Sequence, residues 1–344
     1  MLVRLVFFGY FVCDLVHSRN FKLTILHTND IHATFEPEGK RLRGGIGRVM
    51  SYIDEKRRTA DHPVIYLDAG DMFTGSDWFS SAGWKIAGFF MSHLNPDAIC
   101  IGNHEFDRGV AELGLYIKRI EQPLLCANCD ISNEPSLKDK IIPSTILHVN
   151  TTKIGIIGYL AMDSRTTDKY FGKVRVVNEM RPIRREVERL KEAGAELLVV
   201  LSHGGLKNDM KIAKGTKDIS IIIGGHSHSL LYSGQFEEFK SMSSGPYPVI
   251  VRNRSKKKVY IVQVYERALF VGKMTIVYDT RTRMVKSFAG HAQLMHRKIR
   301  IHPIVKRILK FYKPEVESIR NEVVAKALVP LNGFRSLPFK LILM

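Results

Sequence analysis

Ile101-Gly102-Asn103-His104-Glu105-Phe106-Asp107 follows a short run, Asp97-Ala98-Ile99-Cys100, that reads as a buried strand. At that strand's end stand a neutral oxygen donor (Asn103), an imidazole (His104) and, three residues on, a carboxylate (Asp107). An amide oxygen can ligate a hard cation, an imidazole can donate to a charged oxygen, and a carboxylate can fix the ring that donates. One loop thus carries parts for metal binding and for acid or electrostatic catalysis. The fold and the chemistry both turn on where the remaining ligands lie.

They lie at other strand ends. Lys22 to His27 alternates and is rich in β-formers, and it runs into Thr28-Asn29-Asp30-Ile31-His32. Residues two apart on an extended segment share a side, so Asp30 and His32 can reach one ion, although an isolated Asp-x-His is ordinarily a polar turn. Pro63 to Leu67 is a second strand, ending in Asp68-Ala69-Gly70-Asp71. Glu196 to Leu201 is a near-continuous apolar run, as expected of a strand covered on both faces, and it ends in Ser202-His203-Gly204-Gly205. Asp218 to Ile223 is another, ending in Gly224-Gly225-His226-Ser227-His228.

Helices are expected from Gly44-Gly45 to Arg58, over Trp84 to His93, Val110 to Ile120 and Arg181 to Ala193, and from Pro303 to about Leu328. Pro123 to Ala127, Pro143 to His148, Lys153 to Tyr159, Pro248 to Val251, Val259 to Tyr265 and Phe270 to Asp279 read as strands. Phe334 to Met344 matches no periodic pattern.

Five strand ends carrying Asp, Asn or His are hard to explain as satisfied core polars, because that edge is where open α/β sheets bind ligands. The donors mix nitrogen and oxygen without thiolate, which favours Zn, Mn, Fe or Co over a cysteine-based structural zinc. Seven donors suit two ions better than one. With Asp71 as the bridge, Asp30, His32, Asp71 and His228 make one site and Asp71, Asn103, His203 and His226 the other. Two ions about 3.5–4 Å apart can share a hydroxide and clamp a phosphoryl oxygen. The hydroxide would attack phosphorus in line, while His104, held by Asp107, stabilises the phosphoryl oxygens or assists the leaving group.

The chain has 344 residues, a soluble-type composition and a formal charge of +18, which suggests acidic partners: nucleic acid, heparin-like polysaccharide, anionic membrane or phosphorylated small molecules. Its densest cluster, Arg252-Asn253-Arg254-Ser255-Lys256-Lys257-Lys258, has no interleaved aromatic residues of the kind single-strand binders use. Arg4 ahead of the apolar run Leu5 to Cys13, with Ser18 beyond it, reads as a secretory signal over residues 1–18. No segment is long enough to anchor the chain across a bilayer. Cys126-Ala127-Asn128-Cys129 is weak evidence for zinc and fits a local disulfide or two buried thiols. Asn150-Thr151-Thr152 and Asn253-Arg254-Ser255 are glycosylation sequons, at Asn150 and Asn253.

Asp-x-His, Gly-Asp, Gly-Asn-His-Glu, His-Gly-Gly and Gly-His-Ser-His, in that order, resemble the calcineurin-like metallophosphoesterases. Leu26 to His32, Gly102 to Asp107 and Gly224 to His228 are similar to their 5′-nucleotidase/apyrase branch. The resemblance spans Leu23 to Asp279, and more weakly reaches Gly333. It implies a four-layer αββα sandwich with mixed sheets (α/β, α+β) over residues 19–300, a linking helix over 301–333, and an atypical tail over 334–344 where the branch carries a second, nucleoside-gripping domain. It also implies two divalent ions, zinc foremost with Mn, Co, Mg or Ca as alternatives. His104 and Asp107 become the catalytic dyad, and Asn103 and His104 contact the substrate. The expected activity is secreted hydrolysis of AMP, ADP or ATP by a monomer, without specific nucleic-acid binding. The alternative is a poorly active, basic protein that binds nucleotides or other anions, including polysaccharide or cell surface.

Overall fold

A computed structural model describes residues 20–163 and 169–321. The signal assigned to residues 1–18, the tail at 334–344 and the end of the linking helix lie outside them.

Two sheets stack face to face. The first has seven strands, in the order Met284–Leu294, Phe270–Asp279, Asn20–Thr28, Val64–Asp68, Ala98–Cys100, Leu124–Leu125 and Ile141–Ile142. The second has six: Val249–Arg252, Lys258–Val262, Ile221–Ile223, Leu197–His203, Thr152–Leu160 and Ser144–Val149. Both are mixed. Asn20–Thr28 runs parallel to Val64–Asp68 and antiparallel to Phe270–Asp279, in the register His27 opposite Gly272. Leu197–His203 runs parallel to both of its neighbours.

The two-residue period of a strand makes the layers. Val199 and Leu197 point between the sheets, where they meet Leu23, Ile25, Ile65 and Leu67 of the first sheet. Their neighbours Leu198 and Val200 point outward against Ile183, Val187 and Leu190 of the helix Met180–Glu192 and Ile212 of Leu206–Gly215. On the far side, Leu26 and Tyr66 pack against Ile46, Val49, Ile86 and Phe90, from the helices Ile46–Thr59 and Asp77–Leu94. Three apolar layers between helix, sheet, sheet and helix are the αββα sandwich expected. The Leu197–His203 strand is wholly buried because both its faces are covered.

Some boundaries differ from the expected ones. The expected strand Asp218 to Ile223 contracts to Ile221–Ile223, and Trp84 to His93 extends to Asp77–Leu94. Among the elements not foreseen are Leu206–Gly215 and Met284–Leu294. The latter buries only Ala292 and Leu294, so it lacks a legible apolar alternation; pairing with Phe270–Asp279 holds it. Cys126 and Cys129 form a disulfide, and Cys100 is a buried thiol. Among the described residues no helix is long and apolar enough to cross a membrane.

Candidate metal centre

The parallel strands of both sheets end at one edge, and the side chains singled out by the sequence gather there. Asp30, His32, Asp71 and Asn103 come from the first sheet, and His203, His226 and His228 from the second. Asp30, His32 and His228 bring one donor atom each within 4.8 Å of one another, as do Asp30, Asp71 and His203. Asn103 Oδ1 lies 2.9 Å from His226 Nδ1. The two sets of four expected from sequence are therefore contiguous, and Asp30 and Asp71 both lie close to His203, at 3.9 and 2.9 Å.

The backbone is bent to make this possible. Asp30, His32, Asp71, His226 and His228 all have φ between 47 and 71°. That left-handed region disfavours side chains, and its concentration in one cluster is what functional loops show. Each turn swings a side chain off the sheet edge toward a common centre. Gly102 allows the closest approach: an added Cβ would overlap the Asp71 carboxylate.

Each imidazole is oriented through its other nitrogen. His203 Nδ1 bonds the Ala69 carbonyl at 2.7 Å and His32 Nδ1 the Phe73 carbonyl at 3.2 Å. His228 Nδ1 meets Glu266 Oε2 at 3.0 Å, and His226 Nε2 meets Asp163 Oδ2 at 3.2 Å. Inward are left Nε2 of His32, His203 and His228 and Nδ1 of His226. Outer contacts of this kind fix tautomer and ring angle at metal centres. His203 Nε2 is fully buried and makes no hydrogen bond of acceptable geometry, although Asp71 Oδ2 is 2.9 Å away. A buried nitrogen facing a carboxylate without a hydrogen bond fits two donors aimed at a shared cation. Burial opposes charge on His203, but Asp71 and Asp30 outweigh it and raise its pKa to about 10. Asp30 and Glu266 likewise raise His228 to about 10. Burial lowers His32 and His226. Donors, burial and orientation all fit divalent cations.

His104 is built differently. Its Nδ1 lies 2.7 Å from Asp107 Oδ2, which also accepts from Thr74 Oγ1 at 2.5 Å. Its backbone N–H donates to Asp71 Oδ1 at 2.9 Å, and its ring sits edge-on to His32 with centroids 5.1 Å apart. Its ring nitrogen also comes within reach of His32 and Asp71, so geometry alone would admit it as a ligand.

A calcineurin-like phosphoesterase model matches residues 23–230, the span that carries every one of these side chains except Glu266. The chain belongs to the calcineurin-like phosphoesterase family. It is 35% identical to an apyrase of Aedes aegypti over 334 residues, 92% of this chain and 59% of that protein. It is 30% identical to a snake venom 5′-nucleotidase of Gloydius brevicauda, covering 92% of this chain and 55% of that one. The solved 5′-nucleotidase precursor of Thermus thermophilus superposes with a TM-score of 0.82 at 33% identity, over 92% of this chain and 63% of that chain. The chain thus spans less than two thirds of the length of these relatives.

Within this family member, several supporting residues went unassigned in the sequence. Glu105 is buried, and its carboxylate accepts from the N–H groups of Gly102, Asp71, Met72 and Phe73, tying the loops of Asp71 and Asn103 together. Burial raises its pKa to about 7. An acid beside His104 in a glycine-rich loop was the available signal. Asp209 accepts from Ser202 Oγ and Tyr159 Oη beneath the His203 turn. Glu266 and Asp163 stand on loops with no telling spacing. Of the two sequons, Asn150 is exposed in a turn, whereas Asn253 is 6% exposed. The Asn253 amide nitrogen donates to the Lys217 carbonyl at 2.5 Å.

Proposed function

We propose that the chain hydrolyses phosphate esters of nucleotides with two divalent cations, zinc foremost. The observation that carries this is the convergence of Asp30, His32, Asp71, Asn103, His203, His226 and His228 at one sheet edge, with His104 tied to Asp107 beside them. When bound, the cations supply positive charge that polarises the phosphoryl group and acidifies the attacking water. The chain's own residues do the rest. Asp71 contributes a donor beside both sets and would be the ligand shared by two cations. Its Oδ1 is steadied by the His104 N–H, and its Oδ2 faces His203 and His32. Asn103 contributes a neutral oxygen, so that side stays more positive toward an anionic substrate. His104 has Nδ1 committed to Asp107 and presents Nε2. As an imidazolium it donates to a phosphoryl or leaving oxygen.

Nucleotides are proposed as substrates because relatives of the chain include apyrases and 5′-nucleotidases. Secretion is proposed from the Leu5 to Cys13 run behind Arg4, and the Cys126–Cys129 disulfide supports an oxidising compartment. The test is phosphate release from AMP, ADP and ATP with Zn, Mn, Mg or Ca, alongside metal analysis. A folded protein that holds two ions yet releases phosphate from none of the three would overturn the proposal.

A further inference from the structure

We propose that the end of the molecule opposite the candidate metal centre binds a linear sulfated polysaccharide. Three segments meet there. The turn between the strands Val249–Arg252 and Lys258–Val262 lies against residues 214–217: Arg254 N donates to the Thr216 carbonyl at 3.2 Å, and Asn253 Nδ2 to the Lys217 carbonyl. From the helix Met180–Glu192, Arg184 reaches the Gly215 carbonyl at 2.8 Å. These bonds bring the segments that carry Arg184, Lys214, Lys217, Arg254, Lys256 and Lys257 together, and all six side chains are exposed except the half-buried Lys257.

None of the six pairs with a carboxylate among the described residues. The one acid in segments 214–218 and 252–258, Asp218, is held by Lys191 Nζ at 2.8 Å, and on the helix Glu186 pairs with Arg185 and Arg189 and Glu188 with Lys191. Like charges left together without counter-charge cost stability, and they are offset when an anionic partner covers them. The turn is also preformed, because Asn253 Oδ1 accepts from the N–H groups of Ser255 and Lys257 at 2.9 and 3.0 Å. Pre-organisation lowers the entropy cost of binding.

Position and company narrow the partner. Ile221–Ile223 and Lys258–Val262 run parallel, and the basic segments precede both strands, while His226 and His228 follow the first. A five-residue strand rises roughly 16 Å, about twice the screening length at physiological salt. The cluster is therefore too far away to serve as the phosphate-holding part of the catalytic edge. No aromatic side chain lies on the three segments for bases to stack on. No large apolar side chain on them is exposed for insertion into a bilayer; Ile250, on the adjoining strand, is the nearest in sequence. A repeating sulfate chain needs only spaced point charges, and binding it would leave the catalytic edge facing outward.

The test is heparin affinity of the full chain, comparing the triple variant R254E/K256E/K257E with the equally charge-reversed control R297E/K298E/R300E. Those control positions are exposed on another segment. The patch variant should bind heparin at least about tenfold more weakly and show a smaller salt slope, while the control stays near wild type. Desulfated heparin should also lose binding. The patch variant must keep the wild-type melting temperature, so that misfolding is not mistaken for loss of the site; single R254E and K256E variants, each expected to weaken binding, stand in if it does not. Equal losses in patch and control variants would overturn the proposal. So would tighter binding of phosphatidylserine vesicles or duplex DNA than of heparin.

Discussion

Two histidine–aspartate pairs stand side by side in the site and are built oppositely. The His203 and Asp71 side chains are 0% and 2% exposed, whereas those of His104 and Asp107 are 24% and 34% exposed. In the buried pair the imidazole is anchored outward to the Ala69 carbonyl, and its Nε2 faces the carboxylate without a hydrogen bond. In the exposed pair the carboxylate is the anchor at Nδ1. Burial opposes imidazolium in both, and neighbouring carboxylates overcome it in both, so both pKa values rise. The pair chemistry is shared, and both rings are anchored through Nδ1; burial and the anchoring group, a backbone carbonyl for His203 and a carboxylate for His104, separate the proposed cation holder from the proposed proton donor.

Asp71→Ala tests this contrast most severely. It should release metal and lower phosphate release by more than about a thousandfold, since it removes the shared ligand. Metal analysis decides: full occupancy would place Asp71 outside the centre. His104→Ala should slow hydrolysis about 10²–10⁴-fold with metal content intact, and loss of the ions instead would erase the distinction between the pairs. Glu266→Gln tests the orienting contact on His228. Occupancy of one ion should weaken about 10–100-fold while the second ion and His104 are spared, a result readable by titration calorimetry. The smallest effect concerns stability. Chelation should lower the melting temperature and re-addition of metal restore it, by an amount that grows with metal concentration as mass action requires. A melting temperature indifferent to chelator would mean that the charged cluster is satisfied without cations.

The two pairs also differed in how far they could be read in advance. His104 and Asp107 are three residues apart in one loop, so their bond is local. His203 and Asp71 stand far apart in the chain, on different sheets, and only their shared place after a strand linked them. The same limit hid the supporting residues. Glu105 gathers four N–H groups from two loops, and Glu266 orients a ring from a separate loop. Neither has a periodicity or spacing of its own. The Asn253 sequon shows the same limit: the tripeptide is local, but its hydrogen bond to the Lys217 carbonyl is a property of the fold.

The alternation of strands and helices, the seven strand-end donors and the His104–Asp107 pair were legible in the chain before any coordinates, whereas the four-layer architecture was implied by the family resemblance. Strand period, strand-end position and donor type are properties of short segments, so a linear reading reaches them. Which nitrogen of each imidazole faces inward, and which carboxyl groups steady those rings, came from the folded molecule alone. So did the gathering of the basic segments at the far end from the catalytic edge. Those relations join residues far apart in the chain, and they exist only once two sheets are stacked and their strand ends meet.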